Sequence, residues 1–158
     1  MARYNAWQSR SHVAAVSTLD EAARRQDRCA FFSSIAATLN HILGDDLTWL
    51  ARLTGDEAEA LRLSGEFPYT DVPRDWNAFR ALRVETDVRI AEWAAQLTEA
   101  DIAQSTRWLR GDEWMETPAG FNIEHMMNHQ THHRGQVHAI LTAAGAEPVP
   151  TDLQVLLL

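Results

Sequence analysis

Residues 31–55 read FFSSIAATLNHILGDDLTWLARLTG. Phe31, Ile35, Leu39, Ile42, Trp49 and Leu53 return at steps of three and four, the period of an amphipathic helix and not of a strand. Gly55 is suited to end it. The spacing therefore predicts a helix over 31–53, and the fold is worked outward from it.

Upstream, residues 3–26 read as a first helix carrying Trp7, Val13, Val16 and Leu19 and the helix-forming run EAARRQ, with Arg28 and Cys29 marking a break. Downstream, SGEFPYTDVPRD at 64–75 has two prolines, a glycine and turn-forming polar residues. It predicts an irregular crossover inside a long 54–74 link. A third helix follows from about Asp75, its N-cap, to Leu97, striped by Trp76, Phe79, Leu82, Ile90 and Trp93. TRWLRGDEWMET at 106–117 predicts a small hairpin around Arg-Gly-Asp, ended by Pro118. The fourth helix should run from about Gly120 to Ala144, closed by Gly145 and then by Pro148 and Pro150. The expectation is an all-α fold: one four-helix bundle domain over 1–158, with a long crossover between its second and third helices and the hairpin before the fourth.

Composition narrows the function. With 158 residues, 46% of them hydrophobic and only 23% charged, the chain can bury a real core. A net charge of −8 without any basic cluster disfavours nucleic acid. No stretch reaches the roughly 18 apolar residues of a membrane span. MARYNAWQSRSH lacks the apolar centre of a signal peptide, so the expected location is the cytoplasm. All 14 basic residues are arginine, which excludes lysine Schiff-base chemistry. Cys29 is the only cysteine, so there is no internal disulfide and no cysteine-rich zinc site. At a helix boundary its thiol could be activated, though burial is the commoner state of a lone cysteine.

The chemistry concentrates in NHQTHHRGQVH, 128–138, which holds four of the seven histidines. On a helix, residues four apart sit about 40° apart around the axis, so His125, His129 and His133 form one row. His129 and His133 share the face of Met126, Val137 and Ile140. His132 falls at the opposite edge of the row, and Arg134 and His138 point toward solvent. Two inward imidazoles at i and i+4 can offer two nitrogens to one metal ion, as in the H-E-x-x-H zinc helix. Gln130, Thr131 and His132 fill the intervening positions, so the glutamate of a metallopeptidase is missing. A hydrogen-bonded histidine pair in the core is the other reading of that spacing. Ferritin-like di-iron chemistry lacks its Glu-x-x-His pairs.

A third ligand would come from His12 or His41. His41 lies in the middle of the best-defined helix, yet about 130° from the centre of its apolar stripe, which also reads as an edge histidine. Asp45, four residues on, could orient the second nitrogen of His41. Asp46 falls on the apolar stripe, where a carboxylate requires a partner such as Arg83 or Arg134, or serves the site as a supporting group. Arg52, Arg80, Arg83 and Arg89 read as solvated or paired surface.

TLNHILGDDLTWLARLTG at 38–55 and NHQTHHRGQVHAILTAAG at 128–145 resemble the two signature segments of the DinB-like (DinB/YfiT) family of metal-dependent enzymes. YNAW at 4–7, FFSSI at 31–35, the FPY of 67–69 and TDL at 151–153 extend the resemblance over nearly the whole chain. It implies that His41, His129 and His133 coordinate one divalent ion per chain, of the Zn²⁺ or Ni²⁺ class, in a four-helix bundle of unusual order that is often dimeric. Family members with known activity are similar to thiol-dependent transferases and isomerases. One departure is Trp7-Gln8-Ser9, where the family has Trp-Ala-Asn.

Three neutral imidazoles leave coordination positions open, as in a catalytic site. The expected function is a thiol-dependent transferase in which the ion activates a low-molecular-weight thiol cosubstrate against an electrophilic small molecule. The alternatives are a metal-stabilised dimeric binding or stress-response module without turnover, and hydrolysis by metal-bound water, with Asp45, Asp46, His125 or His132 available as proton carriers or supporting groups.

Overall fold

The structure, a computed structural model, describes residues 1–71, 73–147 and 150–157. These are mostly helical with one two-stranded sheet. In chain order they form α1 (Ala2–Ser17), α2 (Glu21–Arg25), α3 (Ile35–Leu53), α4 (Glu57–Ser64), α5 (Trp76–Gln96), α6 (Glu99–Ala103), β1 (Ser105–Arg110), β2 (Glu113–Pro118), α7 (Ala119–Ala143) and a closing 3₁₀ turn, Leu153–Leu157.

The long helices fall where the periodicity put them, and the differences lie at ends and links. The expected first helix over 3–26 is two helices: α1 stops at Thr18, and Asp20 accepts a hydrogen bond from the Ala23 N–H at 2.7 Å to start α2. The second begins at Ile35 and not at Phe31. Cys29 and Ser33 take positive φ of 55° and 61°, which no helix accommodates, and Ser34 then caps α3 through Ala37. Cys29 is exposed, contrary to its expected burial. The 54–74 link is not wholly irregular. Gly55, at φ 78°, turns the chain, and Asp56 caps α4 inside the link. Helix α6, with a Thr98–Asp101 capping box, is a further element the apolar pattern is too short to reveal. The hairpin forms antiparallel, with Trp108 opposite Met115 and Gly111 at φ 59° in its turn. Gly145, at φ 78°, follows α7; Pro148 lies outside the described residues.

Two apolar clusters position everything else. Val16, Leu39, Ile42, Leu43, Phe79, Val137 and Leu141 form one; Trp49, Leu50, Ile90, Met126 and Met127 form the other. Helices α3 and α5 both pass from the first cluster to the second, whereas α7 passes from the second to the first. Consecutive long helices α3 and α5 are therefore parallel, which is why a connection as long as 54–75 is needed between them.

Between the clusters lies a polar layer crossing all four long helices. Arg83 Nη1 donates to Asp46 Oδ2 at 2.6 Å, Gln130 Nε2 to Asp46 Oδ1 at 2.7 Å, Arg134 Nη1 to Gln130 Oε1 at 2.9 Å and Arg134 Nη2 to Asn5 Oδ1 at 2.7 Å. Arg83 also pairs with Asp87 at 2.8 Å. Asp46 thus has the arginine partner its place on the stripe demanded. Arg83 and Arg134, expected at the surface, are buried. Helix α1 packs on both α5, which carries Arg83, and α7, which carries Arg134, and its inner residues Asn5, Gln8, Ser9 and His12 are themselves polar. An apolarity count misses a face of that kind.

Candidate metal centre

His41 of α3 and His129 and His133 of α7 meet on one side of the polar layer, with one ring nitrogen of each within 4.8 Å of the others. Ring centroids are 5.0 Å apart for His41 and His129, 4.8 Å for His41 and His133, and 4.4 Å for His129 and His133. The i, i+4 step along α7 supplies two of the rings, and the dense packing of α3 on α7 brings the third.

For two of the rings the polar neighbours fix which nitrogen faces inward. His41 Nδ1 lies 2.9 Å from the Pro68 carbonyl, so it carries the proton and donates, leaving the Nε2 lone pair free. His133 Nδ1 lies 2.7 Å from Gln136 Oε1, with the same result. His129 Nδ1 faces Asp45 Oδ2 at 3.2 Å, within contact but off the axis of a closed hydrogen bond. Asp45 therefore serves His129 and not His41, whose second nitrogen is held by backbone.

Burial lowers all three imidazoles below their ordinary value. For His129 burial, reinforced by His133 and His41, takes it to about 3. All three are neutral at pH 7. Burial and the adjacent Asp46 charge push Asp45 up to about 7. The 3.2 Å contact with neutral His129 is thus not an ion pair.

His41 Nε2 and His129 Nε2 stand 3.1 Å apart. His41 Nδ1 donates to Pro68, so its Nε2 presents a lone pair, which His129 meets either with an Nε2–H, as an N–H···N hydrogen bond, or, with its proton on Nδ1, with a second lone pair that a cation between the rings would bridge. A tetrahedral ion with Zn–N of about 2.0–2.1 Å keeps its nitrogens about 3.3 Å apart. The donor set and its spacing fit a divalent ion.

Aromatic side chains wall the centre. Phe32 stacks on His41 at 3.9 Å between centroids and reaches His133 at 5.4 Å, while Phe67 meets the His41 ring edge-on at 6.0 Å. Phe31 and Phe67 are 82% and 64% exposed, so the rim facing solvent is apolar.

His41 is buried despite its wheel position, because the segment around Pro68 and Tyr69 covers that side of α3. Gly44 makes this possible: a Cβ there would overlap the Tyr69 ring, whose hydroxyl is 3.0 Å from Thr48 Oγ1. Gln136, Phe32 and the Pro68 carbonyl went unforeseen. Only Gln136 left a sequence signal, its three-residue step from His133. His132 is exposed and touches Gln136 at 3.3 Å, outside the cluster. His125 is also exposed and packs on Trp49 at 5.2 Å.

The DinB family model matches residues 1–157. The chain belongs to the DinB family. It is 24% identical over 150 residues to "Protein DinB" of Bacillus subtilis (strain 168), an alignment covering 94% of this chain and 87% of that protein. No solved structure matches the chain. DinB family membership and the three-histidine cluster are together compatible with a metal-binding protein. Among the described residues no helix is long and apolar enough to cross a membrane.

Proposed function

We propose that this DinB family protein is a divalent-metal-dependent enzyme transferring a low-molecular-weight thiol to an electrophilic small molecule. The four long helices are read as a four-helix bundle forming a single domain, assembled as a cytoplasmic homodimer. His41, His129 and His133 hold the ion through Nε2. The observation carrying this reading is the convergence of one ring nitrogen from each of three imidazoles within 4.8 Å, two of the rings turned that way by hydrogen bonds from Nδ1 to Pro68 and Gln136, since a hydrogen-bonded core pair has no need of a third ring.

A Zn²⁺ or Ni²⁺ ion bound there supplies the positive charge that makes a thiol acidic near neutral pH. The chain's own residues do the rest. Pro68 and Gln136 hold two of the rings in orientation, and Asp45 lies against the third. Phe32, Phe67 and Phe31 shed water from the approach and favour an apolar electrophile. In the transfer the sulfur–carbon bond forms, the bond to the leaving group breaks, and the thiol proton passes to solvent.

The test is to load the purified protein with Zn²⁺ or Ni²⁺ and offer glutathione, bacillithiol or mycothiol with an epoxide or chlorinated acceptor. Metal-dependent thiol consumption that His133→Ala abolishes is the expected result. A fully loaded protein that consumes no thiol across the panel would refute transferase activity and leave a binding module.

A further inference from the structure

A cavity of about 390 Å³ lies away from the histidines, between the hairpin, the α3–α4 corner, the end of α5 and the start of α7. None of His41, His129 and His133 lines it. Its volume is in the range of small-molecule sites. Trp93, Trp108 and Trp114 stand in its wall with Arg52 and Arg107.

Arg52 is the unusual member. Its guanidinium carbon lies 4.6 Å from the Trp49 ring centroid and 4.7 Å from that of Trp108. Among the described residues no carboxylate pairs with it within ion-pair distance. Nη2 donates to Ser64 Oγ at 3.1 Å and reaches the Leu109 carbonyl at 3.4 Å, and the other guanidinium nitrogens make no hydrogen bond to the described protein. The buried arginines of the polar layer differ: Arg83 has Asp46 and Asp87, and Arg134 has Gln130 and Asn5. The wall's own carboxylates do not answer Arg52. Asp101 is committed to the Thr98 cap, and Glu57 sits exposed in the first turn of α4. A half-buried cation held against indole rings, with its N–H edge unpaired, is a receptor for a planar anion. Arg107, 4.0 Å over the Trp114 ring, adds a second positive group at the mouth.

The geometry points to this cavity as a second small-molecule site, taking an aromatic monocarboxylate whose ring lies among Trp93, Trp108 and Trp114 and whose carboxylate pairs with Arg52. It shares no lining residue with the three histidines and does not rest on the reaction assigned to them, its one link to that centre being the charge of Asp45, which Arg52 feels without pairing to it.

The probe is 2-naphthoate, titrated calorimetrically into the full chain, with neutral 2-naphthamide as its isostere. Saturable one-to-one binding is expected, about tenfold weaker for the amide and for Arg52→Gln, as loss of a charge-assisted pair requires. Trp114→Ala should weaken it about threefold to tenfold. Saturating Zn²⁺ should leave the naphthoate Kd within about twofold. The proposal is overturned by no saturable binding, by equal affinity for naphthoate and naphthamide in the native protein, or by binding that Zn²⁺ strengthens or abolishes, which would put the carboxylate at the histidines.

Discussion

His41 Nε2 and His129 Nε2 face each other at 3.1 Å across the α3–α7 interface, each with its other ring nitrogen turned to an acceptor. At that separation the two nitrogens either make an N–H···N hydrogen bond or ligate one cation, and a cation's consequences would reach stability as well as chemistry.

The first concerns the ion. Untreated protein should carry one divalent ion per chain by elemental analysis, and His41→Ala, His129→Ala and His133→Ala should each lose it. Because an ion that binds only the folded state stabilises by about 2.7 kcal/mol at a hundredfold excess over Kd, chelation should lower the melting temperature of the native protein. The three variants should show no such response. Full stoichiometric metal in any of them removes that histidine from the ligand set.

Asp46 should prove structural. It is fully buried between Arg83 and Gln130, at 2.6 Å and 2.7 Å, so Asp46→Ala removes one of the two buried carboxylates that pair with Arg83 and leaves Gln130 Nε2 without its acceptor. A loss of about 3–5 kcal/mol in urea unfolding is expected, with metal stoichiometry intact in the folded fraction. Normal stability with lost metal would reverse the assignment and make Asp46 a group of the centre.

The two acidic neighbours show how far the sequence reaches. Periodicity places Asp46 on the inner face and so predicts its arginine, because a buried carboxylate has few other solutions. It misplaces Asp45 and undervalues His41 for one reason: what covers the far side of α3 is a loop, residues 67–69, whose path carries no periodic signal. Arg134 was misjudged for a related cause. The wheel takes the inner face from apolar residues, whereas the face of α7 against α1 is polar and satisfied by Asn5 and Gln130. The i, i+4 pair His129 and His133 was legible because helix geometry alone fixes it; the partners of their Nδ1 atoms depend on tertiary contacts or a side-chain rotamer.

Gly44 links that loop to the ion. Gly44→Ala would push its Cβ into the Tyr69 ring and displace the neighbouring Pro68 carbonyl that orients His41. Overpacking of this kind costs about 1–3 kcal/mol, and loss of a ligand's orienting partner typically lowers metal affinity about 10–100-fold. Both should be seen, the first by denaturation of the metal-free protein and the second by competition with a chromophoric chelator. Unchanged affinity in a destabilised variant would show that Pro68 does not govern His41.

His12 gives a pH dependence separate from the metal. It is buried on α1, Nδ1 lies 2.8 Å from the Gln8 carbonyl, and Nε2 has no partner among the described residues. Burial lowers its pKa below 6.5, with Arg134 and His138 adding to the shift. The unfolded chain therefore takes up the proton first as pH falls, so the stability this neutral imidazole contributes is present above 6.5 and is lost as pH drops below it. One proton over one pH unit is worth at most about 1.4 kcal/mol. Urea unfolding of the metal-free protein at pH 7.5 and 5.5 should show a smaller acid loss in His12→Gln than in the native chain, by no more than that amount. Equal losses in the two proteins would mean that His12 gains a proton as readily folded as unfolded, and that its unpartnered Nε2 reaches solvent.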